Sequence, residues 1–168
     1  MSLEEPIRKL FAQLDELLSQ LTDEQYATPV TVLSGSTIGQ HIRHVVECFL
    51  ELQKGYRSGH LNYDRRKRDQ LLQTNRRLAA AQLTSIRDSV QLPDKQLSLE
   101  TVVDPDRSTT VVTSYRRELL HNLEHIRHHM ALVRIALMFE SGSRSANSYS
   151  MERITTPWQQ RSIHETVV

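Results

Sequence analysis

Six of the eight histidines fall in two short stretches, His41 and His44 in one and His121, His125, His128 and His129 in the other. Imidazole is a common ligand for divalent cations and the side chain whose ordinary pKa lies nearest neutrality, so such crowding raises metal coordination before any other chemistry. On a helix the four later histidines would point at about 0°, 40°, −20° and 80° around the axis, one face roughly 100° wide. His125 and His129 form an i, i+4 pair whose Cβ atoms would be about 5–6 Å apart, close enough for two imidazoles to converge on one ion. Two ligands seldom hold a metal tightly, so a third must come from another element. The earlier stretch offers His41 and His44. An apolar arc centred near Val45 and Phe49 turns His41 further inward than His44, and periodicity alone does not choose between them. The competing reading is ordinary: partly exposed histidines bonded to a backbone carbonyl or to Glu47. Cys48, one helical turn after His44, is a further metal donor by position, but is expected to be a small buried apolar residue.

Four helices must carry these groups. Between Leu3 and Leu21, the residues Ile7, Leu10, Leu14, Leu17 and Leu21 recur at alternating three- and four-residue spacings, with Phe11 and Leu18 widening the stripe and Ser2 as an N-cap candidate. A loop is expected over residues 22–36. Ser36 or Thr37 would cap a second helix bearing Ile38, Ile42, Val45, Phe49, Leu52 and Tyr56, closed by Gly55 or Gly59. A polar link follows, and a third helix is expected from about Asp69 to Val90, ended by Pro93. Residues 97–113 alternate about Asp104-Pro-Asp-Arg107, which predicts a short β-hairpin. With no Gly or Pro from Ser114 to Phe139, the fourth helix should be long and largely buried. The fold class expected is therefore all-α, a four-helix bundle over residues 1–140 with a short hairpin between helices 3 and 4. Residues 141–168 form a polar C-terminal tail, either packed on the bundle or disordered.

Composition excludes several classes. The chain of 168 residues carries 21 Lys+Arg against 20 Asp+Glu, a formal charge of +1, which provides no global field for nucleic acid. No run approaches the ~20 apolar residues of a membrane span. One cysteine excludes an intrachain disulfide and, with no apolar leader, suits a cytoplasmic setting. Phosphate-binding glycine loops, a serine nucleophile elbow and paired CxxC knuckles are missing from the sequence.

Thr37-Ile-Gly-Gln-His-Ile-Arg-His44-Val-Val-Glu, followed some eighty residues later by His125-Ile-Arg-His-His129-Met-Ala-Leu, resembles the DinB-like superfamily of metal-binding four-helix bundles over roughly residues 3–140. The resemblance implies one metal-ligating histidine in the second helix, matched by His44, and an H-x-x-x-H pair in the fourth, matched by His125 and His129. It implies a divalent ion (zinc, nickel or ferrous iron) with positions left open. It also implies thiol-dependent S-transferase or related chemistry using a low-molecular-weight thiol such as bacillithiol, mycothiol or glutathione. Three neutral ligands would leave the ion's charge uncompensated and favour an anionic thiolate as the fourth. After the pair this chain reads Met130-Ala-Leu-Val, where the family usually has a polar Gly-Gln step.

Asn62-Tyr-Asp-Arg-Arg-Lys-Arg-Asp69 is dense in charge. Asp64 and Asp69 are expected to cap the third helix while the arginines form a solvated rim; alternatively, Arg65, Arg66 or Arg68 guides an anionic substrate towards the metal. The functional expectation is a metal-dependent small-molecule enzyme of thiol S-transferase or hydrolase type, able to form a homodimer. The alternative is a non-catalytic metal-binding or dimerising bundle with a stress-related or sensory role.

Overall fold

A computed structural model describes residues 3–143; Ser2 and the stretch 144–168, which holds most of the expected tail, lie outside the described residues. The chain is mostly helical with one small sheet. In order it forms α1 (Glu4–Gln20), α2 (Asp23–Ala27), a 3-10 turn (Thr31–Leu33), α3 (Ile38–Ser58), β1 (His60–Leu61), α4 (Gln70–Thr74), α5 (Arg76–Ser89), β2 (Gln96–Asp104), β3 (Arg107–Ser114) and α6 (Tyr115–Ser143). Contacts divide it into two units, Met1–Ala136 and Leu137–Val168. The first holds everything discussed below; of the second, only the end of α6 is described.

The three-four stripes bury as expected. Ile7, Leu10, Phe11, Leu14, Leu17 and Leu18 of α1 are buried, and so are Ile38, Ile42, Val45, Phe49 and Leu52 of α3. Phe11 and Phe49 meet edge to face with centroids 5.5 Å apart. Each such ring contributes about 1.5–3 kcal/mol by leaving water. The α3 helix starts at a capping box, in which the Thr37 hydroxyl accepts the Gln40 N–H while the Gln40 side chain accepts the Thr37 N–H. It ends at Gly59 in the left-handed region (φ 82°), where a side chain would be strained. Gly39 is needed for a different reason. A Cβ there would overlap the Gln73 carbonyl and crowd the Tyr26 ring, so its absence lets α4 close on the first turn of α3.

The third helix differs from its expectation. Instead of running from Asp69 to Val90, it breaks into α4 and α5 at Asn75, whose backbone is extended (φ −115°, ψ 93°) and whose side chain accepts the Leu78 N–H. Asparagine competes with the helix by offering this local bond. The expected loop after α1 holds the short α2, and Tyr26 of α2 donates its hydroxyl to the Leu72 carbonyl at 2.6 Å. The sheet also exceeds a hairpin, because β1 pairs in parallel with β2 (His60 opposite Ser98) while β2 and β3 run antiparallel. Finally, α6 is not largely buried. Leu119, Leu123, Ile126, Met130 and Val133 face inward, whereas Arg116, Arg117, Glu124, Arg127 and His128 face solvent, so the charged positions override the all-round apolar count.

Candidate metal centre

Polar residues interrupt the inner stripe of α6. Glu118, Asn122, His125 and His129 recur at i, i+4, i+7 and i+11, which places them within about 60° of arc. His41, His44 and Cys48 lie together on the flank of the apolar arc of α3. The fold brings these two sets face to face.

The rings of His44, His125 and His129 form a triangle with centroid separations of 4.7 Å (His44–His125), 5.0 Å (His44–His129) and 4.5 Å (His125–His129). The Nε2 atoms of His125 and His129 are 2.9 Å apart. On its other side, the Nδ1 of His129 lies 2.9 Å from the Nδ1 of His41, while the Nε2 of His41 is buried without a partner. Cys48 is buried and free, with Sγ 3.9 Å from the Nδ1 of His44. The ligand atoms of His44, Cys48 and His125 all lie within 4.8 Å of one another, a grouping able to hold a metal ion. Both candidates from α3 therefore reach the cluster: His44 faces His125 and His129, and His41 faces His129 from the flank. His121 and His128 are exposed at the edge, with ring centroids 6.1 Å from His125 and 5.5 Å from His129, respectively.

Burial and mutual proximity keep the rings neutral. His44 is pulled down to about 4 by desolvation, aided by Arg66, His125, Arg43 and His41. His129 is pulled down to about 3 by desolvation and then by His125, His44, His41 and His128. His41 and His125 are lowered for the same first reason. A neutral imidazole keeps the lone pair that a cation requires. Burial pushes the Cys48 thiol up to about 11.

Two buried carboxylates hold the surrounding loop. Glu47 accepts the Asp69 N–H at 2.8 Å and sits between two guanidinium groups, with Arg43 Nε and Arg66 Nε each 3.5 Å from one of its oxygens. Glu118, fully buried, accepts from the Thr113 hydroxyl and from Arg117 at 2.7 Å each, and from the Tyr63 hydroxyl at 3.2 Å. Asn122 in turn donates to the Tyr63 oxygen at 2.7 Å. The dense segment 62–69 is thus neither a plain rim nor a plain cap. Asp69 does cap α4 by accepting the Leu71 N–H, but Asp64 instead accepts the Val102 N–H of β2. Arg66 turns inward to Glu47, and Arg65 stays exposed beside Glu100.

Sequence reading did not single out Glu118, Asn122 or Tyr63. The available signal was the polar stripe in α6, since a glutamate and an asparagine in register with two histidines on an inward face must find partners. Two clefts, of about 500 and 350 Å3, share Glu51, Lys54 and Arg65; none of the clustered histidines lines either, though Glu47 borders the larger.

A profile of the DinB superfamily matches residues 7–133, and the chain belongs to that superfamily. No curated protein and no solved structure matches it. Among the described residues no helix is long and apolar enough to cross a membrane.

Proposed function

We propose that His44, His125 and His129 bind one divalent metal ion within a four-helix arrangement of α1, α3, α5 and α6, and that this centre serves small-molecule chemistry of a thiol S-transferase or hydrolase kind. The observation carrying the proposal is the three-ring triangle drawn from two helices, with centroids 4.5–5.0 Å apart. Donor atoms of His44, Cys48 and His125 lie within 4.8 Å of one another, and His129 joins that group through its Nε2 beside the Nε2 of His125. Two bonds of about 2.1 Å can meet on one ion across a 2.9 Å gap such as that between the Nε2 atoms of His125 and His129. The rings are held neutral, as ligation requires.

The protein's own groups then take definite roles. With the Nε2 lone pair of His129 committed to a cation, its proton resides on Nδ1 and donates to the Nδ1 of His41. That bond fixes the ring and its tautomer. Arg66, held by Glu47, sets positive charge beside the cluster and favours an anionic substrate group there. The Glu118–Tyr63–Asn122 network anchors the 62–69 segment against α6, which keeps Arg66 in place. A divalent ion at this point supplies Lewis acidity, polarising a substrate carbonyl or favouring thiolate over thiol.

The test is turnover. Protein stripped with chelator and reloaded with zinc, nickel or ferrous iron is assayed on an activated ester and, with glutathione or another small thiol, on an electrophile. Ion-dependent turnover that is lost in His44→Ala supports the proposal. Ion binding with no turnover on either class reduces the centre to a binding or sensory role.

A further inference from the structure

We propose that Cys48 is a fourth protein ligand, so that the centre is built from two facing i, i+4 pairs, His44 with Cys48 on α3 and His125 with His129 on α6. This inference rests on the metal-binding reading above and adds to it the chain's own sulfur. One helical turn separates the members of each pair, so each presents its two donors on one face of a rigid rod. The Sγ of Cys48 lies 3.9 Å from the Nδ1 of His44, and the donor atoms of His44, Cys48 and His125 fall within 4.8 Å of one another. Bonds of about 2.3 Å to sulfur and 2.1 Å to nitrogen span separations up to about 4.4 Å, so the first pair is within reach of one ion without backbone movement.

Among the described residues this sulfur forms no disulfide. Cys48 is the single cysteine, it is 5% exposed, and its Sγ lies beside the Nδ1 of His44, with Arg66 and Glu47 close enough to act on it electrostatically. Ligation breaks the S–H bond and forms a sulfur–metal bond, and the proton leaves to solvent; no oxidant or reductant is involved. A thiolate cancels half of the formal charge that three imidazoles leave untouched. That weakens the demand for an exogenous thiolate, and because four protein ligands close a tetrahedral site, substrate chemistry would then require the ion to take a fifth ligand. Soft sulfur also biases the site towards zinc, nickel or ferrous iron over magnesium or calcium.

Cobalt(II) reads out the ligand set directly. Chelator-stripped, tag-free, full-length protein is titrated with cobalt(II), and its absorption is compared with that of Cys48→Ser and Cys48→Ala, both checked for fold by circular dichroism. The expected result is a near-ultraviolet thiolate-to-cobalt charge-transfer band that saturates at one ion per chain and is lost in both variants, while the weaker visible bands remain. Cobalt bound to the wild type without that band, or a band unchanged in both variants, overturns the assignment of Cys48 and leaves the histidine site standing. Failure of the wild type to bind cobalt, zinc or nickel at all overturns the histidine site, and this inference with it.

Discussion

The Nδ1 atoms of His41 and His129 lie 2.9 Å apart, so that the imidazole nearest the capped start of α3 supports one of the imidazoles on α6 from behind. In the proposed site this contact would make His41 a positioning residue, with His44 the vertex that α3 gives to the triangle. Removing it is expected to loosen the metal without dismantling the fold. His41→Ala should weaken zinc binding by about 10–100-fold in a chelator-competition titration, the usual effect of losing such a supporting contact. His41→Asn, whose amide can occupy the Nδ1 position, should recover part of the loss.

Acid should destabilise the metal-free protein early. The folded-state values of His44 and His129 are depressed to about 4 and about 3, whereas an unfolded imidazole titrates near 6.5. Below about pH 6.5 the unfolded chain therefore binds more protons than the folded one, and stability falls as pH drops towards 4. Urea midpoints should decline from pH 7.5 to pH 5 and stay level above about 7. His44→Gln and His129→Gln should each flatten that slope; a midpoint independent of pH over this range contradicts the neutral-ring description.

Tyr63 links the basic segment to two buried groups of α6 through its hydroxyl. Tyr63→Phe keeps the ring but leaves a Glu118 oxygen short of a partner, which should cost about 1–3 kcal/mol in equilibrium unfolding. The denaturant m-value should not change.

Gly39→Ala places a methyl group against the Gln73 carbonyl and the Tyr26 ring. Overpacking of this kind costs about 1–3 kcal/mol. Because the strain falls two residues before His41, the variant should lose zinc affinity as well as thermal stability, and both are measured on the same preparation.

The sequence announces what repeats locally and conceals what depends on distant partners. The stripes of α1 and α3, the Thr37 cap and the turn at Asp104–Arg107 follow from spacing and side-chain chemistry over a few residues, and all are present. The H-x-x-x-H pair was legible for the same reason. The break at Asn75 was not, because Leu71, Leu72, Leu78 and Leu83 keep a helical rhythm through it and only an extended backbone at one residue divides them. The pairing of β1 with β2 joins residues 38 apart, and a two-residue strand carries no period of its own. Choosing between His41 and His44 likewise required the position of α6: both are half-buried, but His44 meets the rings of His125 and His129 whereas His41 meets the back of His129.

The most direct test of the centre is the metal content, by elemental mass spectrometry, of wild type, His44→Ala and His129→Ala purified without an affinity tag. A near-stoichiometric transition metal in the wild type, reduced to a small residue in both variants, is the result predicted by three imidazoles converging from α3 and α6. Equal, negligible metal in all three proteins would contradict it.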